Sequence, residues 1–135
     1  MKGTNMIRWR SERGVAAVEF ALVVPVLLLL LLGIIEFGRA YNTQISLTHA
    51  ARETARHMAI HDNGTASAST WTAATTAGRN AASTLKGADM TFTPTPAQCS
   101  VGTMLTVTIT YPLKTITGVA KDMTLTGKAA MRCGG

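Results

Sequence analysis

A chain of 135 residues, 47% hydrophobic but only 5% aromatic, has material for one small packed domain once a membrane segment is set aside, and none for a second. Its formal net charge of +6 does not point to nucleic acid, because Lys2, Arg8, Arg10 and Arg13 against Glu12 place half of that excess ahead of Val15. There is no nucleophilic serine motif, glycine-rich phosphate loop or Cys-x-x-Cys pair, so an enzyme has no chemistry to stand on and nothing calls for a cofactor.

The basic segment ends at Gly14, and the side chains from Phe20 to Ile35 form an apolar run. That run alone covers about 24 Å at about 1.5 Å per residue, short of a hydrocarbon core of about 30 Å. Including Val15 to Glu19 extends it to about 31 Å, so the span closes only with the Glu19 carboxylate within or at the edge of the apolar layer. A charge at the centre of a bilayer costs roughly 2.5–3.5 kcal/mol on insertion scales, and such a residue calls for a partner. Gly14 sits where a protease at the cytoplasmic face can cut without removing the helix, which frees an amine at Val15. Basic residues crowd the near side of the run and Arg39 alone follows closely on the far side, which sends the C-terminus outward. Pro25 cannot donate to Ala21 and is expected to kink this half of the helix.

Helical spacing continues beyond the span, to about Ile60. Tyr41, Ile45, Thr48, Ala51, Ala55 and Met58 make a weakly apolar stripe, and Ala40, Ala50, Ala51, Ala55 and Ala59 leave room for a close neighbour. Asp62-Asn63-Gly64 stops the helix, and residues 65–76 read as a solvated linker passing into a second helix at about Thr70 to Lys86, capped by Thr70 or Ser69 and ended by Gly87. Its buried side is Trp71, Ala74, Ala77, Ala81, Ala82 and Leu85, with Gly78 as a weak point. Three strands follow from a period of two: Met90 and Phe92, then Leu105, Val107, Ile109 and Tyr111, then Met123 through Met131. Pro94 and Pro96 mark the first turn, and Pro112 ends the second strand. The expected class is α+β: a long N-terminal transmembrane and stalk helix, a second short helix and an antiparallel sheet of about three strands. The expected parts are a basic leader at 1–14, a transmembrane helix at 15–36, an extracytoplasmic extension at 37–61 and a small α+β domain at 62–135.

Cys99 and Cys133 both fall in the outer domain, which suits an oxidising compartment. A bond between them closes a loop of about 35 residues and contributes roughly 3–4 kcal/mol on the chain-entropy model, while the alternative is two unpaired small hydrophobes. Neither has a second thiol or a histidine nearby, so no metal site is expected there. His49, Glu53, His57 and His61 recur at intervals of four on the outer helix, a spacing able to hold a divalent metal but lacking a clear fourth ligand. A solvated helix face is the expected reading.

A short basic leader ending in Gly14, with Glu19 and Phe20 as the fifth and sixth residues after it, resembles the prepilin-peptidase signal of type IV pilins, and the Glu-Phe pair points to the type IVb branch. Gly33-Ile34-Ile35-Glu36-Phe37-Gly38-Arg39-Ala40, Ala50-Ala51-Arg52-Glu53-Thr54-Ala55-Arg56 and Val107-Thr108-Ile109-Thr110-Tyr111-Pro112 extend the likeness. Together they are similar to the TadE-like family, minor pilins or pseudopilins of the tight-adherence (Flp) pilus machinery. The resemblance implies cleavage between Gly14 and Val15, an assembly role for Glu19 with Phe20, and a single-pass protein of the bacterial inner membrane. It implies as partners other pilins and pseudopilins, a prepilin peptidase, the inner-membrane assembly platform and membrane lipid, with no nucleic acid. Two alternatives remain from the residues alone. One is a signal-anchored periplasmic domain without processing at Gly14; the other is a secretory signal peptide cut near Gly38-Arg39-Ala40, a poor small-residue site.

Overall fold

The computed structural model describes residues 9–62, 64, 67–116, 118 and 122–134. Lys2 and Arg8 of the basic leader, Asn63 of the expected helix stop, and Thr65 and Ala66 of the expected linker lie outside the described residues. In chain order the elements are α1 (Trp9–His61), α2 (Ala68–Ala81), a 3-10 turn (Gly87–Asp89), β1 (Thr91–Thr95), β2 (Met104–Leu113) and β3 (Met123–Arg132). This is the expected α+β arrangement. The chain divides after Ile35 into two compact units.

In the first unit, the described part of α1 is rich in leucine and alanine, which lose little on entering a helix. Pro25 sits inside the helix and lacks the N–H that would bond to Ala21.

In the second unit α1 buries Thr43, Leu47, Ala50, Ala51, Thr54, Ala55, Met58 and Ala59, a three- and four-residue repeat. The expected stripe holds only in its second half. Tyr41 is 64% exposed and Ile45 is 42% exposed, because the contact face here is chosen by small side chains, and the larger apolar ones lie outside it.

Backbone proximity is the reason. A Cβ on Gly127 of β3 would come within 2.6 Å of the Leu47 carbonyl carbon and oxygen, so α1 lies directly on the sheet at that glycine. The Gln44 amide donates to the Thr126 carbonyl at 2.7 Å beside it. Gly78 of α2 plays the same part against α1: a Cβ there would run into Thr54 Oγ1 and come within 3.0 Å of the Ala50 carbonyl oxygen and the Phe92 ring. The helix-weakening glycine is therefore a packing requirement. Thr54 keeps its buried hydroxyl satisfied by donating to Ala50 O at 2.9 Å.

α2 departs from its expected bounds at both ends. It starts at Ala68 behind Ser67, whose hydroxyl makes no capping bond and instead lies 2.6 Å from Ser69 Oγ, and neither Thr70 nor Ser69 is the cap. It ends at Ala81, and the Ala82 N–H bonds back to Gly78 and Arg79. Gly87 opens the 3-10 turn and does not end α2, because Arg79 covers it, donating from Nε to Gly87 O at 3.1 Å.

The sheet order is β1-β2-β3, antiparallel throughout. Leu105, Val107, Ile109, Tyr111 and Leu113 on β2 supply its buried face, alternating with more exposed partners. Pro96 falls in the bend after β1 as expected, but the readings of Pro94 and Pro112 need correction. Pro94 lies within β1, opposite Val107, and Pro112 lies within β2, opposite Thr124. β1 is an edge strand, and its pairing with β2 stops at Thr91↔Thr110, so each proline can turn its donor-free nitrogen to an unpaired edge.

Candidate functional site

Helix α1 is long and apolar enough to cross a membrane. Its most apolar stretch is wholly unburied, with Phe20 70% exposed and Leu22, Leu29 and Ile34 also exposed. A continuous apolar surface of that extent is rare on proteins that face water throughout and suits contact with lipid or with other helices. Within it, Val15 and Glu19 stand four residues apart and so share one face. Glu19 and Phe20 are both exposed, and a Cβ on Gly14 would meet nothing within 4 Å. Gly14 is inside the helix, which begins at Trp9.

Glu36, the first acidic residue after the apolar run, has a structural function the sequence did not suggest. Both of its carboxylate oxygens accept from the Ile116 N–H at 3.2 Å, holding the β2–β3 connection to α1 across 80 residues. A carboxylate on a backbone N–H is a charge-assisted bond, stronger than a neutral one. The only signal in the sequence was a charge directly after Ile35, and nothing there named residue 116.

At the C-terminal end of α1 a second tie is built. Cys99 and Cys133 form a disulfide with a Cα–Cα separation of 5.5 Å, and both are almost fully buried. Asp62, 5% exposed, accepts the Cys99 N–H at 2.9 Å through Oδ2. The Cys133 backbone exchanges bonds with Gly102 and Thr103, and the Gly134 N–H reaches Ala59 O at 3.3 Å. The disulfide thus closes the segments before β2 and after β3 onto the last turn of α1.

The histidine stripe resolves into local contacts. The His57 and His61 rings stack with centroids 4.2 Å apart, and His61 Nδ1 lies 3.0 Å from His57 O. His57 Nδ1 is buried without a partner, His49 is exposed and Glu53 is half-buried. Among the described residues no group of three His, Cys, Asp or Glu side chains converges as a metal site would require.

The apolar stretch with its single acidic residue and the outer stripe as far as Ala55 coincide with a known pattern. Residues 14–56 match the family model described as TadE-like protein. Over this segment the helix resembles TadE-like proteins. The TadE-like segment thus runs from Gly14 past the apolar stretch to Arg56, on the part of α1 that covers the sheet. The match covers about a third of the chain, and over that segment the likeness is to proteins associated with Tad pilus systems. No curated protein and no solved structure matched.

Proposed function

We propose that this TadE-like chain is a minor pilin or pseudopilin that acts in assembly of a Flp-type, type IVb pilus. The observation that carries the reading is an exposed apolar helix interrupted by one carboxylate, Glu19, inside the TadE-like segment. On this reading residues 1–14 are a leader, 15–36 cross the inner membrane, and residues 37–61 extend the helix into an extracytoplasmic domain at 62–135.

A prepilin peptidase cuts between Gly14 and Val15. Because Gly14 is helical, cutting requires local unwinding, which glycine eases by about 1 kcal/mol relative to alanine. The new Val15 ammonium of one subunit then meets the Glu19 carboxylate of another at the same membrane depth. An isolated carboxylate in lipid is costly, and the pair offsets that cost while fixing the axial offset between two helices. Phe20, beside Glu19, completes the recognition segment for the peptidase. The partners are other pilins and the inner-membrane assembly platform.

Coexpression with a prepilin peptidase, followed by intact mass and N-terminal sequencing, tests the reading. Val15 is the expected new terminus, and Gly14→Arg should retain the leader. A terminus at Met1 would leave a plain signal-anchored domain, and one near Tyr41 a secreted protein.

A further inference from the structure

The domain also holds a basic cleft that the assembly reading does not use. About 250 Å³ of space is lined by Arg39 from α1, Lys86 before the 3-10 turn, Tyr111 from β2 and Lys114 just after it. Among the described residues Asp89 is the one carboxylate on that lining. An adjoining hollow of about 180 Å³ shares Arg39 and Tyr111 and adds the polar side chains of Asn42 and Thr84. Three cations against one anion leave a positive excess around a single space.

That excess is not relieved from within. Glu36 is close to Arg39 along α1, but both of its oxygens face the Ile116 N–H. Among the described residues Arg39, Lys86 and Lys114 form no ion pair and no side-chain hydrogen bond. Arg79, by contrast, is committed, lying over the Phe92 ring at 5.1 Å and donating to Gly87 O. Unpaired cations held around one space repel one another when it is empty and are favourable around an anion.

Position narrows the anion. Arg39 follows Ile35, the last residue of the apolar run, by four residues, or about 6 Å of helix. With residues 15–35 filling a hydrocarbon core of about 30 Å, that is the level of the headgroup phosphates. Phe37 and Tyr41, both exposed, bracket Arg39 as interfacial aromatics do. The space is also too small for a partner helix, whose diameter with side chains is about 10–12 Å.

We infer that this cleft binds a phosphate ester, with Arg39, Lys86 and Lys114 as its cationic ligands and Tyr111 as a neutral donor, and that the source is the headgroup of an acidic phospholipid. The inference rests on the anchor part of the proposed function and is independent of processing and assembly.

The test uses the full chain in neutral maltoside micelles, with the backbone amides of Arg39, Lys86, Tyr111 and Lys114 followed by NMR. Phosphatidylglycerol doped into the micelle should give saturable shifts at these amides. Phosphatidylcholine, whose phosphate is compensated by choline, should give none, and inorganic phosphate in the buffer should act about tenfold more weakly or less. The double variant Lys86→Gln/Lys114→Gln should weaken the phosphatidylglycerol response about tenfold or more, as loss of charge-assisted contacts requires, while Lys86→Arg/Lys114→Arg retains it. Equal shifts from both lipids, or a glutamine variant that responds as the parent does, would overturn the site. Saturation by inorganic phosphate with no response to phosphatidylglycerol would overturn the lipid source. Failure of the anchor reading would register separately, as a chain that leaves the micelle for the buffer.

Discussion

Gly127→Ala isolates the contact on which the helix–sheet packing depends. In an exposed strand this change would help, because glycine weakens a strand interior by about 0.5–1 kcal/mol relative to alanine. Here the new Cβ would lie within 2.6 Å of the Leu47 carbonyl carbon and oxygen and within 2.8 Å of the Leu47 Cβ. None of those three atoms belongs to a flexible side-chain end, so α1 itself must move off β3. Overpacking of that kind costs typically 1–3 kcal/mol, and the backbone character of the neighbour places this case at about 2–3 kcal/mol. For a domain of this size that is a fall in Tm of roughly 8–24 °C. The assay is thermal unfolding of the full chain in neutral detergent, followed by near-UV circular dichroism so that the domain and not the apolar helix is read. Leu47→Ala alone should cost about 2–5 kcal/mol by leaving a cavity, and it should not rescue Gly127→Ala, since alanine keeps all three clashing atoms. Gly38→Ala, where a Cβ meets nothing within 4 Å, should leave stability unchanged or raise it by up to about 1 kcal/mol. A Gly127→Ala protein within about 0.5 kcal/mol of the parent, or one restored by Leu47→Ala, would refute the close approach of α1 to the sheet.

Gly78→Ala should likewise destabilise the domain, by about 1–3 kcal/mol, against the helix-propensity gain of about 1 kcal/mol that an open site would show; denaturant titration reads the sign. Cys133→Ser should lose roughly 3–4 kcal/mol for a bridge spanning 34 positions, and dithiothreitol should destabilise the parent but leave the variant unaffected. Glu36→Ala should speed amide hydrogen exchange at Ile116 with little change in global stability, because the bond it removes anchors a connection outside the buried core; unchanged exchange there would rule out the tie. Glu19→Gln should insert and be processed as the parent is but co-purify less with partner pilins and lower pilus counts, whereas full assembly would make Glu19 an interfacial residue and remove the central support of the pilin mechanism.

Elements whose signal is strong and one-dimensional were legible in the residues alone. Sixteen apolar residues from Phe20 to Ile35 can only seek a non-aqueous surface, and the alternation Leu105, Val107, Ile109, Tyr111 can bury only one face of a strand. These periodicities belong to the chain alone, and the family pattern over residues 14–56 rests on the same local order. Which of the weak signals mattered depended on long-range packing. The contact face of outer α1 passes through Leu47 and Ala50, leaving Tyr41 exposed, because Gly127 and Gly78, distant in sequence, remove the Cβ atoms that would keep the backbones apart. Pro94 and Pro112 stay within strands because the sheet has open edges beside them, and no local rule reports where an edge falls. Likewise the bond from Glu36 to Ile116, the burial of Asp62 under Cys99 and the meeting of Arg39 with Lys86 and Lys114 join residues dozens of positions apart. Propensity and periodicity act over a few residues, whereas these pairings exist only once the helix has been laid across the finished sheet.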